Sequence, residues 1–218
     1  MRPNTDNSKS ARGSQRPKDA KLVERREDEI LNAAASVFAQ YGYREADVEV
    51  IADAIGVGKG TVYRYFPTKQ TLFFASVDRV MQNLEKRLRE RAYPVEDPVR
   101  RMEATIREYL AFFDENPEFI ELLMLERAEF KGREKPTYFR YQEENLPYWE
   151  NTIKELMAAG RIREMPVWRI LDVVSDLLYG VIFTDLFSGR EKSFEEQAQD
   201  IVDVVFHGIL SESEVRKK

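Results

Sequence analysis

Apolar residues recur at three- and four-residue spacing along most of this chain, which is the pattern of helices that bury one face. The first clear stripe runs over residues 24–41, and Gly42 follows it as a stop signal. Two shorter stripes, over residues 48–55 and 59–65, come next, and a glycine or a proline follows each of them. The sequence therefore predicts three helices in close succession near the N-terminus.

Longer apolar stripes follow, and each begins at residues that favour helix starts. These starts are Thr68, Asp97-Pro98, Asn116-Pro117, Pro166, and Ser193 with Glu196 as a capping box. Pro147 either kinks a helix that begins near residue 138 and ends at Gly160, or begins its second half. We find no strand pattern and no internal repeat, so the predicted fold class is all-α, with about nine helices.

The amino-acid composition excludes most kinds of covalent and metal site. The chain has no cysteine and one histidine, which excludes disulfides, thiolate zinc sites and multi-histidine metal clusters. His207, on an apolar helix, is interpreted as a surface or interface residue, and the carboxylate pairs as parts of solvated faces. We therefore expect no metal, no cofactor and no enzymatic activity.

Charge is unevenly distributed along the chain. The net charge is −5, yet the residues up to Lys21 hold six basic and two acidic side chains. Residues 1–23 are polar and are predicted to be a disordered basic tail, either a solvated leader or an arm that contacts DNA. Neither a secretion signal nor a membrane span is expected, which predicts a cytoplasmic protein.

The GVGKGT stretch at residues 56–61 has the composition of a phosphate-binding loop. Such a loop needs a further glycine ahead of the Gly58-Lys59 pair, and Asp53 occupies that position. The loop also follows a buried strand, whereas the preceding apolar stripe has helical spacing. A nucleotide kinase that uses Lys59 is therefore the weaker hypothesis.

The same stretch fits a tight turn between two short helices, which is a helix-turn-helix arrangement. Val62 and Phe66 would then anchor the third helix on the second. Their partners there would be Ile51 and Ile55. Side chains on its other faces are of types that contact bases and phosphates. These candidates are Lys59, Gly60, Thr61, Tyr63, Arg64 and Tyr65, with Lys69 at the start of the next helix.

A spaced set of residues extends this interpretation. The set is Gly42-Tyr43, Ile51-Ala52, Gly56-Val57, Gly60-Thr61-Val62-Tyr63, Tyr65-Phe66 and Lys69. It resembles the DNA-binding signature of the TetR family of bacterial transcriptional regulators, over roughly residues 24–73. The resemblance implies a homodimer joined by the last two long helices, a ligand pocket in the C-terminal domain, and most often a repressor that a small molecule releases from its operator.

Two positions depart from the family pattern. Ala46-Asp47 stands where the family usually has a threonine pair, and Gly58 stands where it usually has serine. Asp47 can still cap the second helix, although its charge opposes the phosphate contact that a threonine hydroxyl often makes. Asp47 and Gly58 complete the set of candidate DNA-binding residues.

Aromatic residues are frequent in the C-terminal part. Aromatics at helical spacing usually form core, but some of them could line a pocket for an apolar or planar ligand. The candidate ligand-binding residues are Tyr109, Phe113, Tyr141, Trp149, Tyr179 and Phe183.

Two further apolar stripes are candidates for a dimer interface, because they could bury more surface than one subunit supplies. They comprise Leu171, Val174, Leu178 and Val181 in one helix, and Ile201, Val205 and Ile209 in the last. The same stripes fit an intramolecular core equally well.

The predicted organisation has three parts: a basic tail over residues 1–23, a helix-turn-helix DNA-binding domain over 24–70, and a helical ligand-binding and dimerisation domain over 71–218. The function hypothesis is a dimeric regulator that binds a palindromic operator and releases it when a small apolar or aromatic effector binds. An accessory protein that has lost DNA binding is the second alternative, motivated by Asp47 and the acidic total.

Overall fold

A computed structural model describes residues 15–188 and 192–208 of the chain. Within these ranges it contains nine α-helices and no strand, which confirms the predicted all-α class. The helices are α1 (Gln15–Glu45), α2 (Val48–Ala54), α3 (Lys59–Tyr65), α4 (Lys69–Arg91), α5 (Pro98–Glu115), α6 (Glu118–Glu129), α7 (Thr137–Ala158), α8 (Val167–Ser188) and α9 (Phe194–His207).

The chain divides into two compact units, one ending at Ser76 and the other beginning at Val77. The division falls inside α4, so this helix begins in the first unit and continues through the second. The sequence placed the boundary at residue 70, where the helix starts. A helix start is visible in sequence as a cap, whereas a division within a helix leaves no local signal.

The N-terminal part of the chain departs from the sequence prediction. Helix α1 begins at Gln15, so residues 15–23 are helical and not a disordered tail, while residues 1–14 lie outside the described residues. Lysine, alanine and leucine are strong helix formers, and they extend a helix whose later turns are anchored by packing. At Gly42 the backbone leaves the helical region, with φ 75° and ψ 165°.

The first unit has a small core at the point where its helices meet. Phe38 of α1 and Phe73 of α4 are both fully buried, and their rings meet edge to face at 5.1 Å. Ile51 of α2 and Val62 of α3 are also fully buried. The short helices α2 and α3 are therefore held by tertiary packing, because helices of this length are marginal on their own.

The second unit contains the rest of α4 and all later helices. Its starts follow the predicted caps: Asp97 Oδ1 accepts from the Arg100 N–H at 3.0 Å, and Ser193 with Glu196 forms the capping box. Helix α7 is continuous through Pro147, so this proline lies inside one helix and does not begin a second. Fully buried core residues of the unit include Leu110, Phe113, Leu122 and Ile182.

Candidate DNA-binding surface and ligand cavities

The turn between α2 and α3 reverses the backbone at Gly56. Its φ is 67°, a left-handed conformation that favours glycine. The Val57 N–H donates to the Ala52 carbonyl at 3.0 Å, and the Gly56 N–H donates to the Asp53 carbonyl at 3.1 Å. These bonds close the end of α2 as a tight turn. A helix therefore precedes the GVGKGT stretch, in place of the strand that a phosphate-binding loop needs.

Helix α3 is fixed by one buried face and leaves another in solvent. Val62 is fully buried and Phe66 is 7% exposed, while Gly60, Tyr63 and Arg64 are exposed. The other candidates in this helix, Lys59, Thr61 and Tyr65, are half-buried. The helix begins without a side-chain cap, because Gly58 occupies the cap position. The exposed face carries residue types that contact bases and phosphates.

Lys59 and Asp47 lie together at the start of this helix. Lys59 Nζ donates to Asp47 Oδ1 at 2.8 Å and lies 3.7 Å from Glu49 Oε2. Asp47 Oδ1 also accepts from the Glu49 backbone N–H at 2.9 Å, which caps α2. That backbone bond, followed by the bond from Lys59, lowers the pKa of Asp47, and the bond to Asp47 raises the pKa of Lys59.

The sequence proposed Asp47 and Lys59 as separate contacts for DNA, and the structure makes them partners. Glu49 is a member of this cluster that sequence reasoning did not select. A signal for it was present, because an acidic residue in the first turn of a helix lies beside its cap.

Lys69 is engaged at the junction of α1 and α4. Its Nζ donates to the Arg44 carbonyl at 2.8 Å and lies 5.3 Å from the centre of the Tyr43 ring. The sequence predicts Lys69 to be a phosphate contact. In this structure its ammonium compensates the carbonyl end of α1, which is a favourable site for a cation.

The second unit encloses a cavity of ≈ 130 Å³ between α4, α5, α7 and α8. Three of the predicted ligand-binding residues line it: Tyr109, Tyr141 and Trp149. A neighbouring cavity of ≈ 110 Å³ is bounded by Trp149 as well. The two cavities share Thr105, Trp149, Leu171, Ser175 and Leu178 in their linings.

The other three predicted ligand residues do not line either cavity. Phe113 is fully buried with its ring 5.2 Å from that of Tyr109. Tyr179 packs 5.1 Å from Tyr138, and Phe183 packs 4.4 Å from Tyr179. These rings support the wall from behind, which is the core role that aromatics at helical spacing usually have.

Polar groups around the first cavity were largely missed from the sequence. The hydroxyl groups of Tyr109 and Tyr138 are hydrogen-bonded to each other at 2.8 Å, and burial raises the pKa of Tyr138 to about 12. Among the described residues that line the two cavities, Glu85 is the one with a formal charge, and it accepts from Arg89 Nε at 2.8 Å and from Asn145 Nδ2 at 3.3 Å. A single acidic residue in a helix carries no sequence signal that it faces a cavity.

The stripes considered for a dimer interface line cavities or grooves of the single chain where the structure describes them. Leu171, Val174, Leu178 and Val205 line the second cavity. Ile201 is 6% exposed and shares a shallow groove with Val181, while Ile209 lies outside the described residues. Leu171, Val174, Leu178, Val181 and Val205 stay partly exposed in the single chain, so the dimer-interface assignment of these stripes stays a prediction.

Different apolar residues of α8 and α9 are exposed. They are Trp168, Val173 and Phe187 of α8 and Val204 of α9. His207 is exposed beside Asp203, as expected of a surface histidine. Across residues 15–188 and 192–208, no group of acidic or histidine side chains could hold a metal ion, and no helix is both long and apolar enough to cross a membrane.

A known family matches the part of the chain that holds the turn. The family described as "Bacterial regulatory proteins, tetR family" matches residues 30–76, which include α2, the turn and α3 in full. Residues 30–76 therefore form a DNA-binding domain of the TetR type.

The chain is 34% identical over 103 residues to the HTH-type transcriptional activator FasR of Mycolicibacterium smegmatis. The alignment covers 47% of the chain and 43% of FasR, so the chain spans less than half the length of this relative.

Solved structures extend the similarity to the helical second unit. A transcriptional regulator FadR from Bacillus subtilis, in complex with stearoyl-CoA, superimposes with a TM-score of 0.69 and 18% identity over 84% of this chain and 98% of FadR. AibR, in complex with isovaleryl coenzyme A and operator DNA, gives 0.65 and 20% identity over 83% and 98%. At these identities the likeness establishes the fold.

Proposed function

We propose that this chain is a ligand-responsive transcriptional regulator that binds a palindromic operator as a dimer. The observation that carries the proposal is the tight turn at Gly56, from which α3 presents Gly60, Tyr63 and Arg64 to solvent. Helices anchored in this way place side chains against base edges and phosphates. The helix-turn-helix unit of each subunit is called a head. Two heads in a dimer would match two half-sites that lie about one helical turn of DNA apart, or a multiple of it.

The effector that we propose is a small apolar or aromatic molecule, or the acyl part of a larger one. Its site would be the pair of adjoining cavities that Trp149 bounds, where the walls are mainly apolar and the charge of Glu85 is compensated by Arg89. Stearoyl-CoA and isovaleryl-CoA in the neighbouring structures support an acyl chain as the first class to test. Such pockets bind through apolar burial and use few polar groups for orientation.

The effector would release the regulator from its operator by a population shift. An effector that binds better to a conformation whose two heads do not match the half-sites would lower the affinity for DNA. The direction of regulation that we propose is repression, as the family resemblance implies, although the relative FasR is named an activator. A reporter gene under the chain's operator, with and without the regulator, decides between the two.

DNA binding is tested by fluorescence anisotropy across a salt series, with the chain's own upstream region against random DNA. We expect Tyr63→Ala to weaken specific binding by roughly fivefold or more, because base or phosphate contacts are worth about 1–3 kcal/mol each. Tyr41→Ala is the matched control, since Tyr41 is an exposed tyrosine of α1 outside the recognition helix.

Two outcomes would contradict the proposal that the chain is a DNA-binding regulator. One is an affinity for upstream DNA that never exceeds the affinity for random DNA. The other is an equal loss for Tyr41→Ala and Tyr63→Ala, which would leave α3 without a special role.

A further inference from the structure

The candidate DNA-binding surface contains an ion pair that uses one of its own lysines. Lys59 Nζ is 2.8 Å from Asp47 Oδ1 and 3.7 Å from Glu49 Oε2, so two carboxylates surround one ammonium. All three side chains remain partly exposed: Lys59 by 38%, Asp47 by 58% and Glu49 by 54%. A ligand in solvent can therefore reach the ammonium without unfolding either helix.

The ammonium cannot serve Asp47 and a phosphate fully at the same time. A lysine is a compact point charge on a flexible stem, so it can move between two acceptors at little steric cost. When it moves to DNA, Asp47 is left as a bare carboxylate beside a polyanion, where like charges repel. An aspartate is ordinarily ionised near neutral pH, and the bond from the Glu49 N–H, which remains when Lys59 leaves, lowers the pKa of Asp47, so protonation does not relieve the repulsion.

We propose that Asp47 is a negative determinant of DNA affinity: it holds Lys59 in the free protein, and DNA must displace it to gain the ammonium. This inference rests on the proposed function, because it concerns how strongly the same surface binds DNA. Asp47 is a competitor in this exchange, and its second role as the cap of α2 explains how a carboxylate can be retained there.

The exchange has a signature in salt dependence. A lysine that is free before binding releases a condensed counterion when it contacts a phosphate. A lysine that leaves Asp47 also exposes a carboxylate beside the DNA, and its negative charge attracts cations to the complex, so the net release is smaller. The wild-type chain should therefore have a flatter dependence of log K on log salt than a variant without the Asp47 charge.

The test compares Asp47→Asn with the wild type and with Asp53→Asn, by anisotropy against upstream and random DNA. Asparagine still accepts from the Glu49 N–H, so α2 stays capped. Asp53 lies exposed on the same short helix, outside the Lys59 cluster, so its substitution makes the same change in net charge. A third variant carries Lys59→Gln alone, and a fourth combines Lys59→Gln with Asp47→Asn.

We expect Asp47→Asn to tighten DNA binding by up to about fivefold for each head, the upper end for an exposed pair. The salt slope should steepen by at most about 0.9 for each head, the value of one full phosphate contact. Asp53→Asn should give a smaller gain. In the Lys59→Gln background the gain from Asp47→Asn should fall to that of Asp53→Asn.

The measurements distinguish a failure of the Asp47 inference from a failure of the proposed function. If the wild type prefers its upstream DNA while Asp47→Asn binds no tighter than Asp53→Asn, or binds more weakly, Asp47 is not a competitor and the inference is wrong with the regulator intact. If neither protein distinguishes upstream from random DNA at any salt concentration, the proposed function and the inference are both wrong.

Discussion

Gly56 and Gly60 lie close together in the candidate DNA-binding surface, but they differ in backbone conformation. Gly56 has φ +67°, which strains any side chain, whereas Gly60 lies inside α3. A Cβ added at either position meets no atom within 4 Å. The backbone alone therefore sets the difference between the two positions, and each can be substituted without a steric clash within the protein.

Gly56→Ala should lower the free energy of unfolding by about 1–2 kcal/mol, the cost of the left-handed conformation. Gly60→Ala should raise it by about 0.8–1 kcal/mol, because alanine is the better helix former. Urea unfolding of the two variants measures both values. Gly60→Ala should weaken DNA binding while it stabilises the fold, since its Cβ projects from the surface that faces the groove in our proposal. Changes of the same sign in the two unfolding energies would contradict the conformational argument.

At the scale of helices, a buried glutamate joins α6 to α7. Glu126 is 1% exposed and accepts from the Thr137 N–H at 3.0 and 3.1 Å and from Thr137 Oγ1 at 2.8 Å. Arg133 completes the group as the ion-pair partner of Glu126. A buried carboxylate is stable only when its charge and lone pairs are satisfied, so these contacts fix the start of α7. The next residue, Tyr138, lines the first cavity.

Glu126→Gln should destabilise the protein by about 2 kcal/mol or more, because the amide removes the ionic partner of Arg133 and places a donor among donors. Chemical denaturation measures the loss. Glu144→Gln is the matched control, as Glu144 is an exposed residue of α7 that lies 3.9 Å from Arg140. The control should change stability by less than about 0.5 kcal/mol. Equal effects of the two substitutions would show that Glu126 does not act as a buried anchor.

At the scale of the whole molecule, the chain holds two tryptophans in opposite environments. Trp149 borders both cavities, whereas Trp168 of α8 is 62% exposed. The proposed effector site therefore has a reporter inside it and a second tryptophan in solvent. Trp168→Phe leaves Trp149 as the sole reporter, and Trp149→Phe leaves Trp168.

Stearoyl-CoA and isovaleryl-CoA should shift or quench the emission of the Trp168→Phe variant and leave that of Trp149→Phe nearly unchanged. A ligand that binds the folded state at about a hundred times its Kd adds about 2.7 kcal/mol to the free energy of unfolding, so thermal shift gives a second readout. Coenzyme A alone is the control for binding through the nucleotide part. A response confined to Trp168 would place the ligand elsewhere, and the cavity assignment would be wrong.

The sequence by itself determined those features of this protein that depend on local interactions. The helices, the capping box at Ser193 and the turn at Gly56 follow from spacing, caps and one backbone conformation, all set within a few residues. The family signature belongs to the same class of information, because it lies along one short stretch of chain. Residues 15–23 were missed since their helix continues from a packed neighbour and lacks an apolar stripe of its own.

Only the tertiary structure decided which side chains meet. The sequence could not place the stripe that contains Leu171 and Leu178, and the packing of α8 brings both residues to the walls of two cavities. Asp47 and Lys59 are 12 residues apart, and a turn and two helices bring their charges to 2.8 Å. Periodicity establishes that a face is apolar or charged, but its partner depends on how distant elements pack, and that information is not local.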